Sequence, residues 1–154
     1  VGRLFLIRSF SILFALVLIL QTLDLLGESG KILAVAGNSA AATQNRIVFQ
    51  VTDEDSRKWN TILANVNNVQ EELGQVEIAV VAIGPGLGML KADSLTANGV
   101  QDAMAAGVRF VACGNTMKAQ HLTRDDMIDG IDYAKAGYVE VMRLQQRGWA
   151  YIRP

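Results

Sequence analysis

Cys113 is the only thiol of the chain and closes the apolar run Val108-Arg109-Phe110-Val111-Ala112. A buried strand there, with a helix starting directly after it, places the thiol at a strand's carboxyl end, where open α/β sheets hold their ligand crevices. The dipole and free N–H groups of such a helix favour thiolate over thiol, and so a nucleophile or sulfur acceptor. The alternative is that Cys113 is a small buried hydrophobe, the ordinary condition of a free cysteine.

Two other clusters invite chemistry. Gly84-Pro85-Gly86-Leu87-Gly88 follows an apolar run directly, and glycines in that position let backbone N–H groups approach an anion. The stretch lacks the G-x-G-x-x-G pattern, a Lys-Ser/Thr ending and a spaced acidic partner, which favours a tight turn over a nucleotide or phosphate cradle. Either way Gly84, Gly86 and Gly88 are expected to wall the crevice beside Cys113. Thr52-Asp53-Glu54-Asp55 has the residues of a metal site, but aspartates just ahead of a helical pattern serve more often as N-terminal caps. His121 is the only histidine, expected in a solvated polar turn. One cysteine and one histidine exclude an internal disulfide and a zinc site within one chain, and no cofactor or metal is expected.

Periodicity supplies the elements that position these residues. Ile47-Val48-Phe49-Gln50-Val51 reads as a strand, and Trp59, Ile62, Leu63, Val66, Val69 and Leu73 recur at helical spacing up to Gly74. Val76 to Ile83 is apolar almost throughout, as in a parallel strand covered on both faces. A helix is predicted over 94–106, then the cysteine strand and a short helix or turn to Gln120. Thr123 and Asp126 have capping-box spacing, and Met127, Ile128 and Ile131 are expected to form the apolar face of a helix behind it. A short strand at Tyr133-Ala134, a helix through Tyr138, Val141, Met142 and Gln145, and a strand at Trp149 to Ile152 complete the chain. Alternating strands and helices predict an α/β fold: a single flavodoxin-like domain over 46–154, with a mostly parallel sheet of about five strands and helices on both faces.

The whole chain has 154 residues and a net charge of -1. It holds one domain with a real core, and its scattered cations form no stripe suited to nucleic acid. Residues 1–45 read differently. Arg3 and Arg8 precede the uncharged run from Ser9 to Leu23, and Ala40-Ala41-Ala42 follows later. This is the pattern of a signal peptide or an uncleaved membrane anchor plus a tether, with the domain exported to the periplasm or facing out of the cell envelope. The chain opens with Val1 and has no methionine before Met89; a misassigned start, which would leave the domain cytoplasmic, is the alternative.

Taken together, Val108 to Met117, Leu122-Thr123-Arg124-Asp125-Asp126 and the ending Leu144 to Pro154 resemble the DsrE/DsrF-like family of sulfur-relay and intracellular sulfur oxidation proteins. Ile47-Val48-Phe49, the helix carrying Asn65 to Asn68, and Val80 to Gly86 fit the same pattern, so the resemblance spans the domain from Arg46 onward. It implies a bacterial homo-oligomer, a trimer or hexamer, and a cysteine after the central strand that takes up sulfur as a persulfide and passes it to a partner thiol. Cys113 stands at the matching place. A sulfur donor or acceptor protein is then the expected partner, besides a membrane at the N-terminal segment. By proximity in sequence, Asn115 and Thr116 are candidates to donate hydrogen bonds to an anionic persulfide, and Lys118 to favour the thiolate. The competing reading is a non-catalytic oligomeric binding module with a buried structural cysteine.

Overall fold

The computed structural model describes residues 45–154. The expected signal peptide or anchor lies outside the described residues, except that Asn45 opens the first strand. In chain order the elements are β1 (Asn45–Val51), α1 (Ser56–Leu73), β2 (Val76–Ala82), a 3-10 helix (Gly84–Leu90), α2 (Ala97–Ala105), β3 (Arg109–Cys113), α3 (Gly114–Ala119), a short 3-10 turn (Arg124–Asp126), β4 (Asp132–Ala134), α4 (Gly137–Gln146) and β5 (Ala150–Ile152). The five strands form one sheet in the order β4-β3-β2-β1-β5. All four pairings are parallel. This is the α/β architecture that the alternation of strands and helices requires.

The order follows from how each element hides its apolar side. β1, β2 and β3 occupy the sheet's interior and are buried along most of their length, which is why they read as nearly unbroken apolar runs. Trp59, Ile62 and Val66 lay one stripe of α1 on the sheet, and Val100 does the same from α2. With Phe49, Val80, Phe110, Leu87 and Met89 they form the larger core cluster. On the opposite face α4 brings Val141 and Leu144 against Val48, Ala79, Val81 and Val111. The edge strands β4 and β5 have three residues each; short edges limit the backbone open to unwanted pairing. Tyr151 ties β5 to the interior, donating its hydroxyl to Oε1 of buried Gln50 at 2.9 Å.

The aspartate cap predicted ahead of α1 forms, and the cap predicted at Asp93 or Ser94 does not. The Asp55 side chain accepts the Arg57 backbone N–H at 2.9 Å and starts α1. Asp53 pairs with Lys58 at 2.7 Å, and its carbonyl accepts the Trp59 indole N–H at 2.7 Å. Three local expectations differ from the structure. Helix α2 starts at Ala97 rather than Ser94, because Ser94 and Thr96 are engaged with each other and the Thr96 hydroxyl donates to the Met89 carbonyl. Gly84–Leu90 is a 3-10 helix with Leu87, Met89 and Leu90 fully buried, more than a tight turn. The capping box at Thr123 and Asp126 forms, but the helix behind it does not. The Ile128 N–H donates to the Leu90 carbonyl at 3.0 Å and the Ala92 N–H to the Asp126 carbonyl at 2.9 Å. These long-range bonds hold the segment extended, with Met127 and Ile128 buried by tertiary packing rather than by a helical stripe.

Candidate functional site

Alternation along β3 turns Arg109, Val111 and Cys113 toward α4, while Phe110 and Ala112 face α1 and α2. Cys113 is the last residue of the strand and the N-cap of α3. It is 4% exposed. The N-terminus of α4 comes against it, and the Gly137 N–H donates to Sγ at 3.2 Å. Only glycine permits this approach: a Cβ on Gly137 would lie 2.6 Å from Ile83 Cγ1 and 3.1 Å from Cys113 Cβ. The sulfur thus meets the positive ends of two helices, its own α3 and the ten-residue α4.

Burial pushes the Cys113 thiol up. Against it act the Thr116 hydroxyl, the Gly137 N–H and the backbone N–H groups of Thr116 and Asn115, and together they bring the thiol below its ordinary pKa. The geometry orders these partners. Thr116 Oγ1 accepts the Gly84 N–H at 2.9 Å, so its own proton is free to turn toward the sulfur. The Asn115 N–H is donated to the Lys135 carbonyl at 3.0 Å. A hydrogen-bonded thiolate of this kind can attack a sulfane sulfur, or hold one as an anionic persulfide.

The structure brings some sequence candidates to the thiol and leaves others away from it. Thr116 is a direct partner, and Gly84 acts through it. Gly84 has φ 58, and its carbonyl accepts from Gln120 Nε2 at 3.3 Å. Gly86 is buried against the end of β1, where a Cβ would collide with the Val51 carbonyl, and its N–H is donated to the Ile83 carbonyl at 3.2 Å. Gly88 lies on the ring of Trp59. The N–H groups of Gly84 and Gly86 are therefore spent inside the protein, and these glycines serve close packing rather than an open anion cradle. Lys118 is exposed in the last turn of α3. His121 is exposed with φ 57. Among the described residues no group of three or more His, Cys, Asp and Glu could hold a metal ion.

Two features are not legible in the sequence: Gly137 as donor to the sulfur, and an ion-pair set on the same side of the sheet. Arg109 Nη2 lies 2.6 Å from Glu140 of α4, and its Nε lies 3.2 Å from Asp132 of β4 without donating a directed hydrogen bond. Beside them a cavity of about 620 Å³ opens between β3, β4 and α4, with Asn115, Lys135 and Arg143 in its walls.

A parallel α/β domain with one hydrogen-bonded thiol at the end of an interior strand is the class that fold and site define. A family model described as the DsrE/DsrF-like family matches residues 30–154, and the chain belongs to that family; the match starts ahead of Arg46. The chain is 37% identical to a protein of unknown function from Methanobacterium thermoautotrophicum, MTH1491, whose solved structure superposes with a TM-score of 0.71 over 72% of this chain and 100% of that one. BT1422, a conserved protein of unknown function from Bacteroides thetaiotaomicron, superposes with a TM-score of 0.63 at 12% identity, over 76% of this chain and 100% of that one. At that identity the likeness concerns the fold alone. No curated protein matches the chain. Membership supports a sulfur-relay-type role at the level of the family.

Proposed function

We infer that the chain is a sulfur carrier in which Cys113 takes up one sulfur atom as a persulfide and passes it to a partner thiol. The observation that carries this reading is the set of donors on Sγ: the Gly137 N–H at 3.2 Å and the Thr116 hydroxyl, itself oriented by the Gly84 N–H. A packed structural cysteine needs no such donors. A thiolate does, and the thiolate is the form that attacks a sulfane sulfur.

Intact-mass analysis of the folded full chain, with and without a persulfide donor, tests this against a Cys113→Ser control. The expected result is a gain of one sulfur atom, removed by reductant and absent from the control. If Cys113 stays unmodified and resists alkylation until the protein is denatured, the carrier reading fails.

The second reading, an oligomeric interaction module, draws on the 4% exposure of Cys113 and on exposed apolar side chains, Tyr138, Val139 and Met142 on α4 and Tyr151 and Ile152 on β5. Exposed apolar surface on one helix favours association. It is compatible with the carrier reading as well, since a homo-oligomer, a trimer or hexamer, would cover such side chains; light scattering of the full chain measures it. The basic flank and apolar run of residues 1–45 support a place in the cell envelope, tested by cell fractionation and N-terminal sequencing. Among the described residues no helix is long and apolar enough to cross a membrane.

A further inference from the structure

The cavity between β3, β4 and α4 is walled by neighbours of Cys113, with the thiol itself buried behind them. Val111 and Asn115 in its wall stand two residues before and after Cys113, and Ala134 is the β4 partner of Cys113 in the sheet register. Ala136, also in the wall, immediately precedes Gly137, the donor to Sγ. At about 620 Å³ the space is of the size that takes a small molecule.

Its charge is unbalanced in one direction. Three cations, Arg109, Lys135 and Arg143, and two carboxylates, Asp132 and Glu140, line it. Both carboxylates are engaged by Arg109, at 3.2 and 2.6 Å, and Glu140 is also 3.8 Å from Arg147. Lys135 and Arg143 pair with no carboxylate among the described residues. The rest of the wall combines Val111, Ala134, Ala136 and Val139 with Asn115 and Tyr133. The positive end of α4 adds to the same potential. An occupant matching these walls has an anionic group for the two free cations, a short apolar body, and a reactive end toward the sulfur.

We propose that this cavity is the donor subsite of the carrier, and that it selects a low-molecular-weight persulfide bearing a carboxylate, anchored by Lys135 and Arg143 with its S–S bond toward Cys113. The subsite deepens the carrier reading and rests on it. In the step it serves, the Cys113 thiolate attacks the terminal sulfur of R–S–S–H. A bond from Sγ to that sulfur forms while the donor's S–S bond breaks, and its electron pair leaves with R–S⁻. The proton stays on the transferred sulfur, so the products are the Cys113 persulfide and a free thiolate, with no net oxidation or reduction. The leaving thiolate still carries the carboxylate, and the same cations that hold the donor hold the product until it dissociates.

The test compares sulfur loading of the full chain from two donors alike at the reactive end, the persulfide of mercaptosuccinate and that of its diamide, in the wild type and in Lys135→Gln/Arg143→Gln. The wild type is expected to prefer the carboxylate donor by about tenfold in the second-order loading rate, the effect of two charge-assisted contacts partly screened by water. The preference should shrink as salt is raised. The double variant should lose it, loading from both donors at similar rates. Equal wild-type rates from both donors, or a preference that survives in the double variant, would overturn the subsite. If neither donor loads Cys113, the carrier reading fails and the donor subsite falls with it; where Cys113 does load, thermal stabilisation of the wild type by mercaptosuccinate, absent in the double variant, supports the subsite, and no stabilisation of either refutes it.

Discussion

On one side of the sheet, Phe49, Val80 and Phe110 lie beneath α1, α2 and the buried 3-10 helix, in a cluster made wholly of apolar side chains. On the other, Val48, Val81 and Val111 are covered by α4, with Val141 and Leu144 as its buried contacts, and this smaller cluster includes the thiol. The Arg109 ion pairs and the cavity stand on that second side. The thick side gains stability from burial. The thin side buries less, so strand ends and a helix N-terminus stay close enough to solvent to hold a charge. Cys113 sits on the thin side because β3 alternates: shifting the register of that strand by one residue would send the thiol into the apolar cluster and bring Phe110 to the cavity.

Substitutions on the two sides can break this division of labour. The largest expected effect is on the thick side. Phe110→Ala should lower the stability to urea by about 3–5 kcal/mol, while the pH profile of Cys113 alkylation stays where it is. A profile that moves with Phe110 would mean that the two sides are not independent. Gly137→Ala on the thin side should cost less, about 1–3 kcal/mol from overpacking against Ile83, and should move the alkylation profile to higher pH as α4 is pushed off the sulfur. A loss of stability with an unmoved profile would remove Gly137 from the site.

Thr116→Val should cost about 1 kcal/mol, since it leaves the Gly84 N–H without its acceptor, and should also raise the pH at which Cys113 becomes reactive. Thr116→Ser should restore the wild-type profile, because the serine hydroxyl can fill both roles. The smallest effect is a linkage. The folded thiol titrates below its ordinary value, so in the window between the folded and the unfolded pKa the unfolded chain binds more protons. Wild-type stability relative to Cys113→Ala should therefore gain as pH rises through that window, be complete above the unfolded thiol's pKa, and vanish below the folded one. Denaturation of both proteins across that range measures the sign.

Much of the fold was legible because local patterns and tertiary packing agree. The interior strands are apolar runs since both their faces are covered, and α1 carries one buried stripe behind an aspartate cap. Agreement failed where long-range bonds overrode a local signal. The capping box at Thr123 is real, yet Met127 and Ile128 are drawn to the backbone of Leu90 and the bridge with Lys91, and no helix follows. The glycines after β2 were readable as backbone set for close approach, but not what they approach: the end of β1 and the Trp59 ring.

For the site, the sequence determined the chemistry available: one thiol, at the end of a buried strand, with a threonine three residues on. Those facts depend on residue type and on periods of two and 3.6, which local sterics impose. Only the tertiary structure decided what surrounds the sulfur. Gly137 lies 24 residues from Cys113 and Gly84 lies 32 from Thr116, and each pair is joined by the parallel register of neighbouring strands, which lines up the carboxyl ends of β2, β3 and β4. No local pattern encodes that alignment, because it arises from crossovers that bring distant strands side by side.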